Sequence, residues 1–138
     1  METLIVIGLA AIILGFGLFV GMDAYRNYGI RSEENNLVSV LEKARMLSLT
    51  NVDQALHGVH ITQTQYTIFE GASYAGPSTT DEVFNVGPAF TLIGNPSLPT
   101  DIVFRQLDAY VATATQLTVS NGARLITVSI NNEGGIDW

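Results

Sequence analysis

The sequence has no cysteine, few basic residues and no proline before Pro77. Without cysteine the chain can form neither a disulfide framework nor a thiolate metal site. Only 6 Lys and Arg residues stand against 13 Asp and Glu residues, and the net charge is -7 at pH 7. An acidic surface repels a phosphate backbone, so the composition argues against nucleic-acid binding. Because no proline interrupts the first half, a long helix is allowed there.

Charge is also missing from a long N-terminal run, which has no charged residue between Glu2 and Asp23. A helix of roughly 20 such residues, at about 1.5 Å per residue, matches the hydrocarbon thickness of a bilayer. A cleaved secretory signal is the competing interpretation. The run, however, starts with an acid, exceeds the usual apolar core of a signal and has no clear small-residue cleavage site after Met22. We therefore predict a retained, membrane-inserted helix.

After the apolar run, hydrophobic residues recur at helical spacing and predict an amphipathic continuation. The stripe comprises Ile30, Leu37, Val40, Leu41, Ala44, Leu47 and Ser48. Charged residues are predicted to lie mostly off this stripe, namely Glu33, Glu34, Glu42, Lys43 and Arg45. The simplest interpretation is one helix from about Thr3 to about Thr50, which ends at the helix-poor sequence Asn51-Val52-Asp53.

From Gln54 onward, short β-rich runs alternate with turn residues. The predicted strands are residues 57–62, 65–69, 83–86, 89–93, 102–105, 116–120 and 124–130. Asn121-Gly122 joins the last two as a hairpin, and the alternation from Leu125 to Ile130 indicates one buried face. The predicted fold class is α+β: a long N-terminal helix whose apolar half protrudes and whose amphipathic half packs on an antiparallel sheet. The chain is thus predicted to have three parts: the apolar half of the helix at residues 1–22, its amphipathic half at 23–52 and a β domain at 53–138.

Glu2-Thr3-Leu4-Ile5-Val6-Ile7 and the apolar residues that follow, to Ile13, resemble the N-terminal motif of type IV pilins and type II secretion pseudopilins. The processing glycine of that motif and the residues between it and Glu2 are absent, so we expect a basic leader upstream of Met1. Such a leader would hold the N-terminus in the cytoplasm, whereas Arg26 and Arg31 alone would favour the opposite orientation. Residues 37–45 and the terminal residues 124–136 are similar to minor pseudopilins of the GspH/FimT type.

The resemblance implies a pilin-like fold and a structural role in a pilus-like filament or a type II secretion pseudopilus. Before assembly, the chain would cross the bacterial inner (cytoplasmic) membrane once, with its C-terminal domain outside the cytoplasm. Its partners would be the lipid bilayer, an inner-membrane assembly platform and other pilin or pseudopilin subunits, bound through the N-terminal helix.

Two features of the apolar helix are candidate assembly determinants. Glu2 would set the axial register by pairing with the N-terminal amine of a neighbouring subunit, although it could also lie in the headgroup region. Gly8, Gly15, Gly17 and Gly21 would allow close helix packing, and the last two form a Gly-x-x-x-Gly pattern. Apolar glycines also occur in membrane helices without that role.

No pattern in the sequence predicts an enzyme, a cofactor or a metal. His57 and His60 lie three apart on a predicted strand and therefore face opposite sides. Asp81-Glu82 and Asn131-Asn132-Glu133 lack the spacing of a calcium loop, and no Gly-x-Ser-x-Gly signature occurs.

Two other functions remain open. One is a membrane-tethered β-rich binding module, such as a sensor or adhesin. The other is a competence minor pilin that binds DNA, which the acidic distal half disfavours because Arg105 and Arg124 are its only basic residues.

Overall fold

This computed structural model describes residues 2–138, and it describes side chains at positions 3–17 and 27–138. Helix α1 is bounded by Glu2–Leu49, and a short 3₁₀ helix follows at Val52–Gln54. Eight strands complete the chain: β1 His57–Ile61, β2 Gln65–Glu70, β3 Glu82–Asn85, β4 Thr91–Asn95, β5 Thr100–Phe104, β6 Thr115–Ser120, β7 Leu125–Ile130 and β8 Ile136–Asp137.

The strands form two antiparallel sheets of four strands each. Sheet A has the order β3-β2-β1-β5, and sheet B has the order β4-β6-β7-β8. In the β6–β7 hairpin, Ser120 pairs with Leu125 around Asn121-Gly122, and Gly122 has a φ of 79°, which favours glycine. That predicted hairpin is therefore confirmed.

Each of the seven predicted strands exists, with shifted ends. Strand β4 begins at Thr91 rather than Ala89 and continues to Asn95, inside what the sequence predicts as a loop. Strand β8 has only two residues, too few to show an alternating pattern, and the sequence does not predict it. Along β7, Val128 and Ile130 are buried while Leu125 and Thr127 are exposed, which confirms the predicted buried face.

One hydrophobic core joins the second part of α1 to both sheets. The helix contributes Ile30, Leu37, Val38, Val40, Leu41 and Ala44; sheet A contributes Val59, Ile61, Tyr66, Ile68, Ile102 and Phe104; sheet B contributes Leu92, Leu117, Val119, Val128 and Ile130. The predicted helical stripe is thus the buried face of the helix.

The predicted fold class is wrong in two respects. The strands form two sheets rather than one, because the buried face of α1 is broad enough to contact both. The helical residues whose side chains are described fall in two stretches, 3–17 and 27–49, the second of only 23 residues, and they include no apolar half of membrane length. Among the described residues, no helix has the length and apolar character needed to cross a bilayer.

Ser48, near the end of α1, ties the helix to two neighbouring strands of sheet A. Its hydroxyl donates to the Phe104 carbonyl at 3.0 Å and accepts the His57 N–H at 3.1 Å. Its main-chain carbonyl accepts the Leu107 N–H at 3.0 Å. Because Ser48 is fully buried, water cannot replace these contacts.

We expect Ser48→Ala to lower the free energy of unfolding by about 1–3 kcal/mol, because it leaves buried main-chain groups without a partner. Urea unfolding of the full chain measures this effect. Ser39→Ala is the matched control, since Ser39 lies on the same helix with its side chain exposed. Equal stability of the two variants would show that the Ser48 contacts do not hold the helix end.

Candidate assembly surface

The first described stretch of α1 exposes all of its large apolar side chains. Between Leu4 and Phe16 their exposed fractions range from 58% at Leu9 to 72% at Phe16. These residues occupy every side of the helix, so no rotation of this stretch against the sheets could bury them all. Full burial of one such side chain is worth about 1.5–3 kcal/mol, and monomeric soluble proteins rarely expose apolar patches of this kind. Within the described residues, therefore, this apolar surface has no cover.

The glycines of this stretch have no steric role within the described structure. A Cβ atom placed on Gly8, Gly15 or Gly17 would have no atom within 4 Å. By contrast, a Cβ on Gly58 would lie 2.7 Å from the Phe69 ring, so that glycine is required by its own neighbours. Small residues at the first three positions leave open space on the helix surface. Glu2 and Gly21, the other two predicted assembly residues, lie outside the residues whose side chains are described.

Glu33 and Glu34 are 7% and 8% exposed, so the prediction that they lie off the helical stripe is wrong. The reason is visible in the spacing, since Glu33 lies three residues after Ile30 and four before Leu37. The Tyr66 hydroxyl donates to Glu33 Oε1 at 3.0 Å, and the Gly87 N–H donates to Oε2 at 3.4 Å.

This network connects three parts of the fold that the sequence separates. Glu33 is on α1, Tyr66 is on β2 of sheet A, and Gly87 lies in the connection between β3 and β4, which runs from one sheet to the other. Burial raises the pKa of the Tyr66 phenol far above its usual range, and the charge and hydrogen bond of Glu33 raise it further. The phenol therefore stays a neutral donor at the carboxylate.

The two histidines lie on opposite faces of β1, as the sequence predicts. His57 is buried, and its Nδ1 has no hydrogen-bond partner among the residues described. His60 Nδ1 lies 2.5 Å from Asp101 Oδ1, and the His60 ring stacks on Tyr74 with centroids 4.2 Å apart. The Tyr74 N–H donates to Asp101 Oδ2 at 3.0 Å, which holds the 71–76 segment over the outer face of sheet A.

The acidic turns weighed as calcium ligands make contacts within the chain. Asp81 Oδ2 accepts the Ser78 N–H at 2.8 Å, and Glu82 pairs with Lys43 at 2.5 Å. Asn131 Oδ1 accepts the Gly135 N–H at 2.8 Å. The described residues include no group of three or more His, Asp or Glu placed to hold a metal ion.

Tyr66 makes stability depend on pH in the alkaline range. Its folded-state pKa lies above the unfolded value of about 10, so above about pH 10 only the unfolded state releases this proton. Stability should then fall by up to about 1.4 kcal/mol per pH unit through this one group. We expect Tyr66→Phe to remove that part of the slope, as measured by urea unfolding at about pH 9 and about pH 11.

Tyr28→Phe is the control, because Tyr28 is exposed. This substitution should leave the slope of stability against pH unchanged. The comparison concerns slopes rather than absolute stabilities, since Tyr66→Phe also removes the hydrogen bond to Glu33 at every pH. Identical slopes in the two variants would contradict the raised pKa of Tyr66.

Comparisons of the chain with protein-family models, curated proteins and solved structures found no match. The resemblance to pilins and pseudopilins, which depends on the Glu2–Ile13 motif, therefore stays a prediction.

Proposed function

We propose that the chain is a structural subunit of a filament, either a type IV pilus-like filament or a type II secretion pseudopilus. The subunit is held in the bacterial inner membrane before assembly, and its N-terminal helix packs against other subunits afterward. The single observation that carries this proposal is the exposure of every large apolar side chain between Leu4 and Phe16.

A contrast within α1 supports the proposal. In the stretch 27–49 only one side is buried, and the charged side chains of Glu42 and Lys43 face solvent. In the stretch 3–17 all sides are apolar, so the surroundings must be apolar on all sides as well. A bilayer and a bundle of similar helices both meet that requirement, and a subunit that moves from one to the other uses the same surface twice.

The glycines favour a helix bundle over a simple membrane tether. In lipid, helix association depends on close packing at small residues, because there is no hydrophobic gain in exchanging lipid for another apolar side chain. Gly8, Gly15 and Gly17 offer such close approach, and nothing in the described chain occupies that space. A membrane-tethered sensor or adhesin would need the apolar residues but not the open space beside these glycines.

Cysteine cross-linking tests the proposed helix contacts, because the chain has no cysteine of its own. We expect Ile12→Cys to form disulfide-linked dimers in membranes and in sheared filaments from producing cells. Ile93→Cys, which lies on β4 and is similarly exposed at 57% against 60%, is the matched control. Adding excess lipid should leave the Ile12→Cys yield unchanged if the contact is specific.

Two outcomes would contradict the proposal. Cross-linking at Ile12→Cys no stronger than at Ile93→Cys would show that the apolar stretch is not a subunit contact. A yield that falls in proportion to lipid dilution would indicate random collisions, as expected of a tethered module.

The open glycines give a second prediction. Gly15→Leu should leave the urea unfolding of the sheets unchanged, because a Cβ there meets no atom of the described chain. Overpacking at a helix contact costs about 1–3 kcal/mol, so the yield of filaments should fall about tenfold. Leu9→Phe is the control, since it adds volume where a large side chain already stands. Normal assembly of Gly15→Leu would rule out close packing at this position.

A further inference from the structure

A groove of about 310 Å³ lies where the second described stretch of α1 begins. Its walls are Asn27, Ile30 and Arg31 of the helix, Leu125 and Ile126 at the start of β7, and Arg124 directly before that strand. It therefore has two arginines, Arg31 and Arg124, in its lining that are far apart in the sequence. It lies on the part of α1 nearest in sequence to the exposed apolar residues.

The charge in this groove is not compensated by the described chain. Lys43 pairs with Glu82 and Arg105 pairs with Asp108, whereas neither Arg31 nor Arg124 forms an ion pair with any described residue. The protein as a whole is acidic, with 13 Asp and Glu residues against 6 Lys and Arg. Two cations that line one groove and have no ion-pair partner among the described residues repel each other, and an anion between them would relieve that repulsion.

The chemistry of the lining indicates an amphiphilic anion. Guanidinium groups present planar forks of donors that match phosphate oxygens, and the Asn27 amide offers two more donors. The remaining lining is apolar, with Ile30 buried at the base and Leu125 exposed at the edge. An inorganic anion would use the cations and leave the apolar part of the groove uncovered.

We propose that this groove binds the phosphodiester headgroup of an anionic phospholipid, with Arg31 and Arg124 on the phosphate and the lipid glycerol against Leu125 and Ile126. Charge complementarity and the nearby apolar stretch of α1 both favour a lipid as the occupant. The proposal rests on the membrane insertion included in the proposed function, but it does not depend on filament assembly.

Binding can be measured on the full chain in micelles of a zwitterionic detergent. A short-chain phosphatidylglycerol is titrated by calorimetry, alongside phosphatidylcholine of the same chain length, glycerol phosphate and inorganic phosphate. We expect phosphatidylglycerol to bind most tightly. Since each arginine near a headgroup is worth about fivefold in affinity, Arg31→Gln/Arg124→Gln should bind it about 25-fold more weakly.

Lys43→Gln/Arg105→Gln is the matched control, because it removes the same charge at two exposed positions outside the groove. It should keep the affinity of the unaltered chain. Arg31→Lys/Arg124→Lys should bind at an intermediate level, because it keeps the charge but loses the planar fork.

Three outcomes would overturn the proposal: equal losses in the two glutamine variants, equal affinity for phosphatidylcholine, or inorganic phosphate or glycerol phosphate binding as tightly as the lipid. The first would indicate a general charge effect, and the last a site for a free phosphate group. If Ile12→Cys fails to cross-link but the groove still selects the lipid, only the proposed filament function is contradicted. If Ile12→Cys cross-links as expected but the groove does not select the lipid, only the groove proposal is contradicted.

Discussion

The fold depends on the burial of one broad face of α1 against both sheets. Leu37, Leu41 and Ala44 are fully buried, with Val59 of sheet A and Leu117 of sheet B in the same core. A four-stranded sheet needs a partner for its apolar face, and here one helix serves two sheets at once. Loss of this face would therefore leave both sheets without a common core, rather than merely detach a helix.

Apolar burial alone does not fix how the helix is rotated or how far it is shifted along its axis, because the hydrophobic effect is not directional. Two groups of buried polar contacts fix the rotation and the axial position of the helix. Glu33 accepts hydrogen bonds from Tyr66 and Gly87 near one end of the buried face, and Ser48 binds β1 and β5 at the other. A shift of the helix by one turn would break the hydrogen bonds of both Glu33 and Ser48. Carboxylate and amide groups would then be buried without partners. These residues specify one arrangement among several that would bury a similar apolar area.

The sequence predicts the local elements well and their assembly poorly. Asn121-Gly122 identifies a hairpin because both strands and the turn lie within a short segment. Alternation shows which side of a strand is buried, but not which strand pairs with which, and the pairing of β1 with β5 joins residues that are distant in the sequence. The sequence places Glu33 off the apolar stripe, because its partner, Tyr66, is 33 positions away and no local pattern marks it. The exposed apolar stretch, in contrast, is evident from composition alone, although its partners are not.

The position of the polar network gives the junction of α1 with the sheets a mechanical role. The stretch 3–17 exposes all of its large apolar side chains, and α1 itself is what connects this stretch to the sheets. Glu33 lies in the buried part of α1, where its hydrogen bonds resist rotation of the helix against the sheets. Arg31, two residues earlier, faces a different side and lines the groove, since residues two apart on a helix do not share a face. The same short segment thus fixes the helix to the sheets on one side and, on another, presents Arg31, which has no ion-pair partner among the described residues. If the groove binds a lipid headgroup as we propose, that contact would also orient the β domain against the membrane surface.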